Sequence, residues 1–172
     1  MNQVFVLLGS NIDKEKNLPT AVSLLRQSCT VTAVSSVYET IPVGLRHQPN
    51  FWNTAVLLAT PLDAPTLHQT ILRPLEQQLN RVRTYDKNAP RTIDADIILF
   101  NNDVFDFDHH HIPDPDLLRF PHVAVPIAEL APQMPHPETR EPLAKIAQRL
   151  LAELTAREGQ PVVWKRPDVQ LS

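Results

Sequence analysis

Apolar residues gather in four short runs within the first hundred positions, and each run is typical of a β-strand. VFVLLG at 4–9 is continuous and precedes Ser-Asn, which predicts a buried strand followed by a turn. TVTAVSSVYET at 30–40 is rich in β-branched residues, and FWNTAVLLAT at 51–60 resumes after a loop with two prolines. RTIDADIILF at 91–100 predicts the fourth strand.

Two segments between these strands repeat their apolar residues every three or four positions, which predicts amphipathic helices. The apolar positions of the first helix are Leu18, Val22, Leu25 and Cys29. Those of the second helix, which follows Asp63 as a candidate N-cap, are Leu67, Ile71, Leu75, Leu79 and Val82. Because Pro74 lies inside the second helix and has no N–H to donate, we expect a kink there.

The order strand, helix, strand, strand, helix, strand predicts an α+β fold of the ferredoxin-like βαββαβ type, with a mainly antiparallel sheet and both helices on one face. Beyond it lie a proline-rich stretch at 112–137, a short helix near 123–131 and a helix with apolar residues at Leu143, Ile146, Leu150, Leu151 and Leu154. These segments predict a C-terminal helical elaboration of one domain that spans 1–172.

Composition and charge exclude several classes of protein. The chain has 42% hydrophobic residues, and no apolar run approaches the roughly 20 residues that cross a bilayer, so we expect no membrane contact. Cys29 is the single cysteine and continues a helix core, and the chain starts without a basic leader, so we expect a cytoplasmic protein. We also expect a monomer. The net charge of −3 argues against nucleic-acid binding.

The three glycines restrict how the chain can bind a nucleotide. Gly9, Gly44 and Gly159 are far apart, whereas a Walker loop or a dinucleotide-binding turn needs several glycines in one short stretch. A nucleotide would therefore have to be bound through arginine, lysine and metal.

Asp94 and Asp96 interrupt the fourth apolar run. Side chains two positions apart in a strand share a face, so Ile93, Ala95 and Ile97 face one way and both carboxylates face the other. The two carboxylates lie roughly 6.6 Å apart at about 3.3 Å per residue, which lets them share divalent ions such as Mg²⁺. A solvated strand face is the alternative interpretation.

Four cationic residues lie close in sequence to the two aspartates: Arg81, Arg83, Lys87 and Arg91. Guanidinium groups match the geometry of phosphate oxygens, and alternating arginines and metal-binding carboxylates fit phosphoryl transfer, in which catalysis is mostly positioning and charge neutralisation. The alternative is a charged helix end with surface ion pairs.

QPNFWN at 48–53 places an aromatic ring beside an amide. Phe51 and Asn53 share a strand face, which suits stacking and edge recognition of a flat heterocycle, while Trp52 points into the core. A core position for Phe51 is the alternative. The run of His109, His110 and His111 has diverging side chains and no second ligand set at zinc spacing, so we do not expect it to bind metal.

Several motifs, in order along residues 4–132, resemble the 6-hydroxymethyl-7,8-dihydropterin pyrophosphokinase family. They are LGSN at 8–11, YETIPVG at 38–44, QPNFWNTAV at 48–56, RVR at 81–83, PRTIDADIILF at 90–100 and VPIAELAP at 125–132. The resemblance implies transfer of the β,γ-diphosphate of ATP to the hydroxymethyl oxygen of the pterin in folate biosynthesis, with release of AMP. It also implies that Asp94 and Asp96 bind two Mg²⁺ ions.

The resemblance extends to further residues. The set expected near ATP is Glu76, Arg81, Arg83, Lys87, Arg91 and Arg119. Two of these residues, Arg81 and Arg91, are expected to be catalytic together with Asp94 and Asp96. The set expected around the pterin is Thr40, Pro42, Val43, Phe51, Asn53 and His122. ATP and the pterin are the partners that this family implies.

The segment IPDPDLLRFPHVAVPI at 112–127 departs from the family pattern. It has Asp114 where a histidine that contacts ATP is expected, Phe120 where an arginine is expected and His122 at the second stacking position. Arg119 lies one residue before the missing arginine, and Asn88 stands where many relatives have a bulky residue. A carboxylate at position 114 would repel a triphosphate unless a cation intervenes.

These departures leave three alternatives to the usual activity. The first is the same transfer on an altered pterin or with altered efficiency, and the second is a paralogue that binds pterin or nucleotide without turnover. The third, an RNA-binding module of the same fold, requires exposed aromatics and basic surroundings, against which stand 6% aromatic residues and an acidic balance.

Overall fold

A six-stranded antiparallel sheet forms the centre of the molecule in the computed structural model, which describes residues 1–42 and 47–171. The strands of this sheet are β1 (Asn2–Ser10), β2 (Thr30–Val34), β3 (Val37–Thr40), β4 (Phe51–Thr60), β5 (Asp94–Phe100) and β8 (Val163–Arg166). A separate two-stranded hairpin consists of β6 (Phe105–Phe107) and β7 (His110–Ile112). Their order across the sheet is β5–β1–β4–β3–β8, and β2 also pairs with β4.

The central strands confirm the predicted ferredoxin-like fold. The fourth predicted strand lies at one edge beside the first, the third follows, and the second lies beyond it as β2 and β3. The six-stranded sheet is larger than predicted because β8 adds a strand beside β3. The strands β6, β7 and β8 have only three or four residues each, too few for an apolar period to reveal them.

The second predicted strand is divided at Ser35 because a side chain there replaces a backbone acceptor. The Ser35 N–H donates to the carbonyl oxygen of Ala55 at 2.8 Å, while the Ala55 N–H donates to Ser35 Oγ at 2.9 Å. Thr54 Oγ1 donates to the Ser35 carbonyl oxygen at 3.0 Å. Ser35 thus stays hydrogen-bonded to β4, although the regular strand pairing is interrupted between the end of β2 at Val34 and the start of β3 at Val37.

The fourth predicted strand begins at Asp94 rather than at Arg91, because β1 ends at Ser10 and offers no further ladder. The Arg91 carbonyl oxygen instead accepts the N–H groups of Asn11 and Ile12, each at 3.1 Å, and the Arg91 N–H donates to Asn11 Oδ1 at 2.8 Å. The residues just before β5 are therefore a loop tied to the turn that follows β1.

The helices lie on both faces of the sheet. The helices are α1 (Lys14–Ser28), α2 (Ala64–Leu67), α3 (Arg73–Gln78), α4 (Pro121–Leu130) and α5 (Leu143–Glu158), with a π-helical turn at His68–Leu72 and a 3₁₀ turn at Pro115–Leu118. In these described ranges, no helix combines the length and the apolar character that a membrane span needs.

The second predicted helix is α2, the π-helical turn and α3 in succession. Pro74 explains the interruption, because its ring clashes with the carbonyl four residues earlier, and the Arg73 N–H donates instead to the His68 carbonyl oxygen. The helix ends at Gln78, since Asn80 adopts a left-handed conformation at φ 61° and the Arg81 N–H donates to the Glu76 carbonyl oxygen at 2.9 Å. Val82, predicted on this helix, is instead 71% exposed.

Each face of the sheet has its own core. The core under α1 and the second helical segment has fully buried side chains at Leu8, Leu18, Leu25, Leu67 and Leu72, and Cys29 packs at its margin as predicted. The core under α4 and α5 has buried side chains at Phe5, Leu99, Leu117, Ile127 and Ile146. The predicted C-terminal elaboration is thus a second helical layer on the sheet.

We predict that Ser35→Ala lowers the free energy of unfolding by about 1–3 kcal/mol, because the buried Ala55 N–H loses its acceptor. Urea unfolding measures this value. Ser23→Ala, at an exposed position of α1, serves as the control and should change it by less than about 0.5 kcal/mol. Equal values for both variants would contradict the role given to the Ser35 hydroxyl.

Candidate active site

A cleft with a volume of about 340 Å³ opens on the sheet face that carries α4, at the end where β1 finishes and β5 begins. Ten predicted site residues line it: Thr40, Pro42, Phe51, Asn53, Lys87, Arg91, Asp94, Asp96, Arg119 and His122. Glu76, Arg81 and Arg83 are not among the lining residues, and Val43 lies outside the described residues.

The two aspartates of β5 face the cleft, while Ala95 between them packs in the opposite core. Asp94 pairs with Arg91 at 2.8 Å and lies 3.9 Å from Arg81 Nε. Asp96 has no ion pair in the part of the chain that the structure describes. Burial and the neighbouring carboxylates of Asp94 and Asp114 raise the pKa of Asp96 well above its ordinary value. A buried carboxylate with other carboxylates beside it favours a bound cation.

The donor chemistry of the pair fits Mg²⁺, which prefers oxygen ligands and commonly takes one or two carboxylates together with substrate phosphates. In residues 1–42 and 47–171, no group of three or more histidine, cysteine, aspartate or glutamate side chains is arranged to hold a metal ion. An ion bound to Asp94 and Asp96 would therefore complete its coordination with phosphate oxygens and water. The pair suits a metal that arrives with a nucleotide.

Glu76 supports β5 from outside the cleft. Its side chain is 4% exposed, and Oε2 accepts the Ala95 N–H at 3.1 Å, while Oε1 pairs with Arg83 at 2.6 Å and with Arg73 at 3.6 Å. Burial raises the pKa of Glu76, although the Ala95 N–H and Arg83 act in the opposite direction. The acid therefore fixes the backbone between the two aspartates.

Arg91 connects the aspartates to the aromatic end of the cleft. Besides its pair with Asp94, its guanidinium donates to the carbonyl oxygens of Lys87 and Ala89, and its Cζ lies 5.5 Å from the centre of the Phe51 ring. A cation in this position lies between a carboxylate and an aromatic face. It suits a ligand with a phosphate next to a flat ring.

Polar side chains line the other end of the cleft. The Thr40 hydroxyl is buried and has no hydrogen-bond partner among the residues that the structure describes. Asn53 lies next to Gly9 across the β1–β4 pair, and a Cβ at Gly9 would come within 2.7 Å of Asn53 Oδ1. Glycine is therefore required for the Asn53 amide to occupy its place between strand and cleft.

Comparisons with known proteins agree with this geometry. The sequence profile of the family 7,8-dihydro-6-hydroxymethylpterin-pyrophosphokinase (HPPK) matches residues 5–132. The chain belongs to the HPPK family. It is 40% identical over 136 residues to the 2-amino-4-hydroxy-6-hydroxymethyldihydropteridine pyrophosphokinase of Bacillus subtilis, and this match covers 77% of the chain and 80% of the relative.

Larger proteins also contain a similar region. The folic acid synthesis protein FOL1 of Dictyostelium discoideum is 34% identical over 137 residues, which cover 79% of this chain and 20% of that protein. A crystal structure of an HPPK-DHPS protein in complex with substrates has a TM-score of 0.74 at 14% identity and covers 95% of this chain. The chain spans 46% of that structure's length.

The segment at 112–127, which was expected to depart from the family pattern, forms one wall of the cleft. Asp114 caps the 3₁₀ turn, since its side chain accepts the Asp116 N–H at 2.9 Å, and its own N–H donates to the Ile98 carbonyl oxygen at 2.9 Å. Burial raises the pKa of Asp114 to about 6. The rings of Phe120 and His122 both line the cleft, with their centres 5.4 Å apart.

The histidine run has structural partners. His110 stacks on Phe107 at 5.0 Å and lies 4.9 Å from His68, while His111 pairs with Asp106 at 2.6 Å and Glu138 at 3.2 Å. These contacts hold the β6–β7 hairpin to the π-helical turn and to the segment before α5.

Two residues with clear roles at the cleft were not predicted as site residues. Asn11 joins the Arg91 backbone to the chain that precedes β4, because its Nδ2 donates to Gln48 Oε1 at 2.7 Å and to the Pro49 carbonyl oxygen at 3.0 Å. Gly9 makes room for Asn53. Both lie in the LGSN motif, which was the available signal, but only the strand pairing reveals what they do.

We predict that Asp114→Asn stabilises the metal-free protein at pH 7.5 but not at pH 4. The asparagine keeps the cap. In the unfolded chain an aspartate ionises near pH 4, whereas Asp114 in the folded protein ionises at about pH 6, so the wild type loses stability as the pH rises between these values. Urea unfolding in EDTA should show a difference of roughly 3 kcal/mol at pH 7.5. The same difference at both pH values would contradict the assignment.

Proposed function

We propose that this chain transfers the β,γ-diphosphate of ATP to the hydroxymethyl oxygen of 6-hydroxymethyl-7,8-dihydropterin, which gives the pterin diphosphate and AMP for folate biosynthesis. The observation that carries the proposal is one cleft with two parts. Asp94 and Asp96 lie at one end, and Thr40, Phe51 and Asn53 lie at the other, in a member of the HPPK family.

The aspartate end is the place for the diphosphate. Asp94 and Asp96 would hold two Mg²⁺ ions, which neutralise phosphate charge and orient the transferred group when bound. Arg91 and Lys87 line the cleft beside them and supply cations for the phosphate oxygens. Arg81 lies outside the cleft lining with its buried Nε 3.9 Å from the Asp94 carboxylate, so it adds positive charge beside this end of the cleft.

Glu76 and Arg83 act from outside the cleft in this proposal. Their ion pair at 2.6 Å holds the N–H of Ala95, so that both aspartates keep their direction when the phosphates bind. Arg83 is half exposed and can also reach toward the triphosphate. The pair thus contributes to ATP binding chiefly through the shape of β5.

The other end of the cleft is the place for the pterin. Its ring is flat and has both donors and acceptors along one edge, which suits the free hydroxyl of Thr40 and the amide of Asn53. Phe51 and His122 supply flat faces, and Pro42 adds an apolar contact. Burial and the charge of Arg91 lower the pKa of His122 to about 4, so at neutral pH it stacks as an uncharged ring.

Asp114 favours a second candidate, the same transfer with an altered pterin or altered efficiency. Its carboxylate lines the cleft close to the aspartate pair and would repel a triphosphate that lacks a cation there. Arg119 lines the same wall and can supply that cation, since Phe120 cannot. With both charges in place, transfer to the usual pterin remains the first candidate.

We further propose that residues 1–172 act as one monomeric domain in the cytoplasm, with ATP and the pterin as ligands. Both helical layers pack on the same sheet, which supports a single unit. The single cysteine fits a reducing compartment, and the negative net charge argues against nucleic acid as a partner.

The direct test mixes the purified protein with ATP, Mg²⁺ and 6-hydroxymethyl-7,8-dihydropterin and separates the products by ion-exchange chromatography. We expect AMP and the pterin diphosphate to appear in equal amounts. Binding of both ligands without AMP would instead support a non-catalytic paralogue, and AMP formation only with a modified pterin would support an altered substrate.

We predict that Asp94→Ala and Asp96→Ala each lower Mg²⁺-dependent kcat by at least about a hundredfold, because the metal loses a charged ligand. Product formation under saturating substrates measures the loss. Asp103→Ala, at an exposed aspartate just beyond β5, is the control and should keep the normal rate. A normal rate in either cleft variant would remove the metal pair from the mechanism.

We predict that Asn53→Ala raises the KM for the pterin on the order of tenfold and leaves the KM for ATP nearly unchanged, since the lost hydrogen bonds belong to one substrate. Steady-state kinetics with each substrate varied in turn separates the two effects. Asn102→Ala, at an exposed turn, is the matched control. Equal losses for both substrates would count against the position given to Asn53.

A further inference from the structure

On the face of the sheet opposite the cleft, Glu39 accepts hydrogen bonds from three side chains. Its Oε2 accepts from Asn50 Nδ2 at 3.0 Å, and its Oε1 accepts from Trp52 Nε1 at 3.0 Å and from Arg166 Nη1 at 2.5 Å. The Glu39 side chain is only 14% exposed. We call these four residues, Glu39, Asn50, Trp52 and Arg166, the Glu39 cluster.

Arg166 comes to this cluster from β8, beyond the residues that match the HPPK profile. Its Nε and Nη2 donate to the two carboxylate oxygens of Asp168 at 2.9 and 2.7 Å, which fixes the plane of the guanidinium. Its Cζ lies 5.4 Å from the centre of the Trp52 ring. One cation therefore contacts both the carboxylate and the indole of the cluster.

The strand register connects the cluster to the cleft. Glu39 pairs with Trp52 across β3 and β4, and the neighbouring pair is Thr40 with Phe51. Because side chains alternate along a strand, Glu39 and Trp52 point away from the cleft, while Phe51 and Asn53 on either side of Trp52 point into it. A shift of Trp52 would move both cleft residues through the backbone.

The charge of Glu39 depends on its partners. Burial alone would raise the pKa of Glu39, but the hydrogen bonds from Asn50, Trp52 and Arg166 lower it below its ordinary value. Loss of Arg166 would leave a largely buried carboxylate without its cation, and such groups rearrange to reach water. The indole and the Asn50 amide would then lose their common acceptor.

We propose that Arg166 is a positioning residue for the pterin site, which it orders through Glu39 and Trp52. The inference rests on the proposed function and extends it to the C-terminal strand. Arg166 does not line the cleft, so its effect reaches the substrate only through the backbone that presents Thr40, Phe51 and Asn53. The interaction with the pterin should therefore weaken without Arg166, while that with ATP should not.

The test compares Arg166→Gln and Arg166→Lys with Arg149→Gln, which removes a similar ion pair at 2.9 Å between α5 and Glu141. Steady-state kinetics gives the KM of each substrate. Pterin binding is followed by fluorescence in a Trp164→Phe background, in which Trp52 is the only tryptophan. Both measurements use the full chain.

We expect Arg166→Gln to raise the KM and Kd of the pterin on the order of tenfold and to change the KM of ATP by less than about twofold. Arg166→Lys keeps the charge but loses the paired bonds to Asp168 and the flat group over Trp52, so it should recover only part of this loss. Arg149→Gln should behave as wild type. Equal losses for both substrates, no loss, or no recovery by lysine would overturn the inference.

Glu39→Gln provides a second variant, because it keeps the size of the side chain, replaces one acceptor oxygen with an NH2 group and removes the charge that Arg166 neutralises. In the double variant, the loss of pterin-binding free energy should be smaller than the sum of the losses in Glu39→Gln and Arg166→Gln. If the wild type binds pterin but forms no AMP, the proposed function fails. The pterin Kd of the Arg166 variants relative to that of the wild type then still decides the role of Arg166. A wild type that does not bind pterin overturns both.

Discussion

The hydrogen bond from the Ala95 N–H to the Glu76 carboxylate is the interaction on which the site depends. β5 is an edge strand, and an unpaired edge N–H at this position would leave the strand free to bend or to bind elsewhere. Glu76 closes the edge between the two aspartates, and Arg83 and Arg73 balance its charge. The Asp114 N–H closes the same edge further along, at the Ile98 carbonyl oxygen.

The cleft is assembled where three strands change partners. β1 ends at Ser10, β5 begins at Asp94 and β4 begins at Phe51, so the ends of these strands lie side by side, and the start of α4 lies over them at His122. Asn11 ties the loops on either side together. The sheet thereby supplies the floor of the cleft, and the segment that carries Asp114 and His122 supplies one wall.

Much of this arrangement could be predicted from the sequence, because it follows from periodicity. The alternation in RTIDADIILF separates Asp94 and Asp96 from the core, and the position of Pro74 predicts the interruption of the second helix. The partners of Glu76 and Arg166 could not be predicted, since both depend on contacts between segments far apart in the chain. From the sequence, Asp114 was only a carboxylate expected to repel a triphosphate. In the structure, its side chain also caps the 3₁₀ turn that follows it.

The most direct test of this account counts the metal ions that are proposed to bind to the aspartate pair. Mn²⁺ binding, followed by electron paramagnetic resonance with the pterin and an ATP analogue that cannot transfer its diphosphate, should give two ions per chain for the wild type. Asp96→Asn should bind fewer, and Asp103→Asn, at an exposed turn, should match the wild type. Full Mn²⁺ binding by Asp96→Asn would contradict the claim that β5 presents its carboxylates to a metal.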